Sequence, residues 1–276
     1  KVYFAPLKCS PDSKVAVKIM EEGKDLTAED VANEVNLMKA ALGHPNVVQY
    51  FGDAESSTCH FIMMEAAGGG DMDAYMQSDD NLALFLGMLR GVKELHDRGL
   101  VHRDLKPANV LVSSMCGEGA TCTAKIADLG TACSMHGSEV GVPRCKEGEV
   151  LGSPVYMSPE AWDGKSSRSS DVWAMGLILY EMKFGHLPSL IDNAPSSKHV
   201  ERRVKNFDIL ADKDFKTLPE SEWKELLAGM LAKEKDARWS SATALEKVEA
   251  WGAGSFADRA SGQVPELPAC FGKPTG

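Results

Sequence analysis

The chain has 276 residues, enough for one large domain or two small ones. Its 43% hydrophobic and 25% charged content is that of a folded protein and excludes disorder. Lys and Arg number 30 against 40 Asp and Glu, and the net charge of −10 argues against a general nucleic-acid binder.

Val2-Tyr3-Phe4 and Val15-Ala16-Val17-Lys18-Ile19 read as two short strands, with Pro6, Ser10, Pro11, Asp12 and Ser13 as turn formers between them. Thr27 with Asp30 three residues on is a capping-box pattern. Val31, Val35 and Met38 follow at helical spacing, with Leu42 a turn further. Gly43-His44-Pro45-Asn46 ends that helix, because the residue before a proline disfavours helical backbone. Residues 47–50 and 60–65 read as two more strands. Ala66-Ala67-Gly68-Gly69-Gly70 is the first strong break in composition and reads as a hinge.

Beyond the hinge the character turns helical. Residues 81–97 carry an apolar stripe at Leu82, Phe85, Leu86, Leu89, Val92 and Leu95, stopped by Gly99. Residues 110–112 and 125–127 read as short strands separated by a turn rich in small residues. Residues 131–158 lack periodicity, and a loop of that length inside a domain is usually functional or disordered. Helical patterning returns at 171–183, 220–232 and 241–250, and residues 252–276 read as a tail containing Gly and Pro. No run reaches the roughly 18 apolar residues of a membrane span, and no signal-peptide pattern opens the chain. The first residue is Lys1 rather than Met, so any upstream targeting segment lies outside this sequence. The seven cysteines form no C-x-x-C pair, the nearest neighbours being Cys116/Cys122 and Cys133/Cys145. They are expected to be free thiols of a reducing, cytoplasmic or nuclear compartment.

The segment that carries most chemistry is Val101-His102-Arg103-Asp104-Leu105-Lys106-Pro107-Ala108-Asn109-Val110-Leu111, set between a helix and a strand. Asp128-Leu129-Gly130 follows the next strand, and Gly152-Ser153-Pro154-Val155-Tyr156-Met157-Ser158-Pro159-Glu160 comes later. Upstream, Val15-Ala16-Val17-Lys18 precedes a helical Glu34. This ordered set resembles the eukaryotic protein kinases, in their Ser/Thr branch, over roughly residues 1–250. The resemblance implies a two-lobed α+β fold. A small β-rich lobe with one helix and its hinge would occupy residues 1–67, and a larger helical lobe residues 68–251.

It also implies transfer of the ATP γ-phosphoryl group to protein Ser or Thr hydroxyls with Mg²⁺. Phosphoryl transfer is mostly positioning and charge neutralisation. Lys18 is expected to hold the ATP phosphates, with Glu34 as its carboxylate partner. Asp104 resembles the residue that takes or orients the acceptor proton, and Lys106 would neutralise the moving group. Asn109 and Asp128 supply hard oxygens suited to Mg²⁺. Val2, Ala16, Met64, Glu65, Ala67 and Asp71 would bound the nucleotide, with Met64 at the back and residues 65–67 as the hinge. Met38, Tyr50, His102 and Leu129 would stack as an apolar column anchored by Asp171, and Glu160 would pair with Arg238. Leu129 stands where Phe is commoner, and leucine serves the same packing. Lys106 and Ser153 typify Ser/Thr kinases. The Gly152–Glu160 segment, a platform for protein substrates, argues against a small-molecule kinase. Asp71 suggests a mild preference for basic substrates. Ala108 stands where strongly basophilic kinases often carry Glu, and Pro154-Val155-Tyr156 lacks the arginine typical of proline-directed kinases.

Two departures stand out. No G-x-G-x-x-G turn precedes the lysine strand, which implies either a kinase whose first strand lies before Lys1 or a pseudokinase scaffold. Glu149 occupies the position usually phosphorylated in kinases that carry an arginine like Arg103. It reads either as a built-in substitute for the phosphate or as a solvated charge, with Ser134 or Ser138 as the switch.

Overall fold

The computed structural model describes residues 1–7, 10–21, 23, 26–116, 122–136, 141–192, 194–252 and 263–265. Strands β1 (Val2–Leu7) and β2 (Ser10–Glu21) pair antiparallel, with Val2 opposite Lys18 and Phe4 opposite Ala16. With β3 (Tyr50–Glu55) and β4 (Cys59–Glu65) they form a four-stranded sheet of order β1-β2-β4-β3. Pro6 lies in β1, an edge strand where its missing N–H costs little. Both early strands run longer than expected, and the expected turn at 10–13 belongs to β2. The ladder with β1 continues that far, so pairing overrides local turn preference.

Helix α1 (Ala28–Ala40) starts as the sequence indicates. Thr27 Oγ1 accepts from the Asp30 amide at 3.2 Å, and the Asp30 carboxylate accepts from the Thr27 amide at 2.8 Å. Its buried face carries Val31, Val35 and Met38, and Glu34 lies in the same stripe. The strand expected at 47–50 is not formed as such. Val47 makes an isolated parallel bridge to Ile126, and the Val48 amide donates to Ile126 O at 2.9 Å. That stretch is therefore bound to the larger lobe, and the sheet strand begins only at Tyr50.

The crossing at 66–70 is tied down by its backbone, since the Gly68 and Gly69 amides donate to Ser113 O and Val112 O, each at 2.9 Å. Helix α2 (Asn81–Asp97) follows with the expected bounds. Next come β5 (Leu100–Val101), the hairpin of β6 (Val110–Val112) and β7 (Ala124–Ile126), and β8 (Cys133–Ser134), which pairs with β5. Helix α3 (Arg168–Phe184) is buried without interruption from Ser170 to Tyr180 and is the central helix of the lobe. It starts three residues before the expected 171, where the Ser167 amide donates to Ser170 Oγ at 3.1 Å. Helices α4 (Ser197–Asn206) and α5 (Lys213–Thr217) were not foreseen. In α4 only Val200 and Val204 are buried, and α5 is a five-residue turn capped by Asp212. Helices α6 (Glu222–Met230) and α7 (Ser241–Gly252) complete the lobe, with α7 packed on α2. The strands and helices thus form the α+β, two-lobed arrangement. Almost all of the tail expected at 252–276 lies outside the described residues.

The expectation of free thiols is overturned for four cysteines. Cys116 pairs with Cys122, and Cys133 with Cys145. The β6–β7 ladder, with Val112 opposite Ala124, draws the first pair together. The bridge between Ser134 and Arg144 draws the second together. Cys59 is the free thiol among the described residues. Among those residues no helix is long and apolar enough to cross a membrane.

Candidate active site

The pairing of β2 with β4 places Lys18 opposite Ile62 in the sheet, and the apolar stripe of α1 turns Glu34 inward against it. Lys18 Nζ lies 2.6 Å from Glu34 Oε1 and 3.0 Å from Asp128 Oδ1. Burial by itself pushes the Lys18 ammonium down, but the charges of Glu34 and Asp128 outweigh it and hold the group above its ordinary value. Burial pushes the Asp128 carboxyl up, and Lys18 more than reverses that, leaving it below the ordinary value. Three elements distant in sequence thus hold one lysine between two carboxylates.

The second half of the site is a loop held from below. Asp171, buried at the start of α3, accepts from the His102 amide, the Arg103 amide and His96 Nε2, each at 2.9 Å. Burial works against its charge, and the hydrogen bonds from His96 and the His102 amide hold its carboxyl below the usual range. The His102 ring donates from Nε2 to Ala127 O at 2.9 Å and accepts from the Asp104 amide at Nδ1 at 3.3 Å. Arg103 and Asp128 are the non-glycine residues with positive φ among the described residues, at 71° and 57°. Such backbone costs of order 1–3 kcal/mol per residue and persists where surrounding bonds over-determine it. Here the Asp171 anchor and the Lys18 ion pair do so.

Asp104 sits at the mouth of this loop. Its Oδ1 accepts from the Ser153 amide at 2.6 Å, and its Oδ2 from Asn109 Nδ2 at 3.1 Å. Lys106 Nζ is 3.2 Å from Asp104 Oδ2 and donates to Ser153 Oγ at 2.8 Å. The loop and the Gly152–Pro154 segment are therefore one bonded unit. Gly152 makes this approach possible: at φ 116° a Cβ there would lie 2.5 Å from Arg103 O.

A cavity of about 390 Å³ opens between the lobes. Val2, Ala16, Met64 and Ala67 contribute its apolar walls, and Lys18, Asn109 and Asp128 its polar end. Asp71 lies at its rim, and the hinge residue Glu65 also lines it. The Glu65 side chain is occupied elsewhere, 2.7 Å from a buried Lys125. All nine residues expected around the nucleotide line this one space. Phe4, Leu111 and Ile126 line it too and were missed. Phe4 had a signal, since it lies two residues from Val2 on the same strand face. Lys125 had none, its partner being remote in sequence. The donor set suits a nucleotide with a divalent cation. The Asn109 amide nitrogen is committed to Asp104 O at 2.8 Å, which orients the residue and leaves its amide oxygen as a hard donor beside the Asp128 carboxylate.

The remaining expected pairs are also formed. Arg103 Nη1 lies 2.8 Å from Glu149 Oε2, and Arg103 Nε donates to Thr131 O at 2.5 Å. Arg238 meets Glu160 with two bonds, at 2.7 and 3.2 Å, and its guanidinium stacks 4.9 Å from the Trp173 ring centroid. Met38 and Leu129 are both buried in the core, and Tyr50 packs against it half-buried.

A sequence profile described as protein kinase domain matches residues 4–248. The human serine/threonine-protein kinase ULK1 is 33% identical over 193 residues, which are 64% of this chain and 17% of that protein. A CDPK-related protein kinase of Daucus carota is 31% identical over 241 residues, 84% of this chain and 38% of its own length. The mouse serine/threonine-protein kinase Nek5 is 31% identical over 228 residues, 75% of this chain and 34% of its own. The chain thus spans well under half the length of these curated relatives.

Proposed function

This chain belongs to the protein kinase family, and from that premise we propose that it transfers the γ-phosphoryl group of ATP to Ser or Thr hydroxyls of proteins. The observation that carries the proposal is the convergence of Lys18, Glu34 and Asp128, with each carboxylate within 3.0 Å of the lysine. When bound, ATP with Mg²⁺ supplies the phosphoryl donor and spreads its charge over the metal. Lys18, held by Glu34, positions the phosphates as a fixed cation. Asn109 and Asp128 would hold the metal through their oxygens. The apolar walls from Val2, Ala16 and Met64 exclude water around the base, and the hinge backbone at 65–67 orients it. Asp104 accepts the proton of the acceptor hydroxyl and aims it, while Lys106 offsets charge on the moving group.

Protein substrates are expected to lie over Ser153, which joins Lys106 to the platform. Asp73, pushed up by burial and by the adjacent Asp71, would gain from a basic substrate residue, so a mild basic preference belongs to this reading. Residues 1–67 and 68–251 as the two lobes, with a tail from 252, are part of the same proposal. So is a cytoplasmic or nuclear location, where the two disulfides are exposed to a reducing thiol pool.

The test compares Ser-, Thr- and Tyr-containing basic peptides with wild type and Asp104→Asn. The expected result is transfer to Ser and Thr, little to Tyr, and a loss of about 10²–10⁴-fold in kcat for the variant. Nucleotide binding with no transfer to any peptide would instead mark a scaffold.

A further inference from the structure

The Cys133–Cys145 disulfide lies within the segment that completes the site, and the phosphoryl-transfer reading makes no use of it. Cys133 is fully buried in β8, where it pairs with Val101, the residue before the His102-Arg103-Asp104 loop. On the other side of β8 the chain returns. The Ser134 amide donates to Pro143 O at 2.8 Å, and the Cys145 amide donates to Ser134 O at 2.9 Å. Before the second cysteine, Gly141 O accepts from Asn36 Nδ2 at 3.0 Å, and Asn36 is on the helix that presents Glu34 to Lys18. After it, Glu149 takes the Arg103 guanidinium at 2.8 Å. The return segment therefore touches the Glu34 helix and the catalytic loop, and the disulfide is its only covalent cross-link to β8 among the described residues.

We propose that Cys133–Cys145 is a reversible redox site that sets catalytic output. Oxidised, it fixes the register that delivers Glu149 to Arg103. Reduced, that register rests on a few backbone bonds exchangeable with water, and the segment loosens. The two sulfurs differ in access, since Cys145 is partly exposed and Cys133 is not. A dithiol reductant attacks Cys145 Sγ as a thiolate, forming a mixed disulfide, and Cys133 leaves and takes a proton. The reductant's second thiol then displaces Cys145, which also takes a proton, and the reductant closes its own disulfide. Two electrons and two protons pass to the protein, and oxidised glutathione reverses the exchange. Cys116–Cys122 caps the β6–β7 hairpin and makes none of these contacts, so it serves as an internal control.

The activity half of this proposal rests on the kinase reading, so the experiment carries two readouts. The whole chain is treated with dithiothreitol, then reoxidised with oxidised glutathione, with each state verified by mass. Transfer to a basic Ser peptide and amide hydrogen exchange over residues 141–152 are followed together. The expected result is a several-fold fall in rate with faster exchange on reduction, both restored on reoxidation. C145S should stay at the reduced level and ignore the reagent, while C116S/C122S should still respond. Unchanged rate and exchange in fully reduced wild type would overturn the proposal. So would a persistent response in C145S, or failure of the 133–145 bond to form with oxidised glutathione. A chain that transfers nothing in either state but loosens on reduction overturns the kinase reading and supports the disulfide's hold on the segment.

Discussion

Arg103 does two jobs with one side chain, and its backbone does a third. Its guanidinium binds Glu149 and the Thr131 carbonyl, and its amide binds Asp171. A carboxylate carries less charge than a phosphate and fewer acceptor oxygens, so under the proposed reading Glu149 would be a partial substitute for a phosphorylated residue. Glu149→Ala is therefore expected to lower kcat several-fold while KM for ATP stays nearly constant, in steady-state assays of unphosphorylated protein. Equal kcat for the two proteins would leave Glu149 as a surface charge. At this scale the sequence was highly legible. Lys18, Asp104, Asn109 and Asp128 each sit in a short motif whose spacing follows from one strand or one turn. Lys125 was not legible as a site residue, because its role depends on what the fold sets opposite it, whereas Phe4 was legible from its place two residues from Val2 on one strand face.

The elements are fastened by buried charges more than by length. Arg238 is fully buried against Glu160, which burial would push up in pKa but which Arg238, through its hydrogen bonds and charge, holds below its ordinary value of 4.5. Removing the arginine strands that carboxylate, at a cost of about 3–5 kcal/mol. For a domain of this size that corresponds to a fall in Tm of about 6–20 °C, readable by calorimetry of Arg238→Met. The sign of the pH dependence follows from the lowered carboxyl. The unfolded state binds the proton first, so the pair's contribution is complete above about pH 4.5 and fades as pH drops through the lower folded value. The variant should lose that part of the acid dependence. Long periodic helices such as α2 were readable to the residue, and α1 was readable from its capping box. Helix α4 was missed for a different reason: Val200 and Val204 mark one apolar face, but the segment is so charged overall that it reads as polar loop. The 131–158 stretch read as a loop because its order comes from β5, Arg103 and the Cys133–Cys145 bond rather than from local pattern.

At the scale of the molecule, the fold is a device for closing one cavity between a sheet and a helical lobe. Its apolar walls come from the sheet and hinge, and its polar end from residues on both sides. A ligand that bridges the lobes should stabilise the whole domain. ATP with Mg²⁺ at about 100 times its Kd is expected to add about 2.7 kcal/mol. That is a rise in Tm of about 5–11 °C. Chelating the metal should shrink the shift, and Asp128→Asn should remove its metal-dependent part. The two-lobed class was readable from motif order alone, whereas the disulfides were not, because cysteine spacing does not reveal which strands will meet.

Under the proposed function, Lys18, Glu34 and Asp128 form a working phosphoryl-transfer centre. It is tested most directly by following γ-labelled phosphate from ATP into a basic Ser peptide, with wild type and Lys18→Met at matched, saturating ATP. Steady turnover by the wild type is expected, with a loss of at least about 10²-fold in the variant and its fold intact by circular dichroism. Equal rates for the two proteins would contradict it.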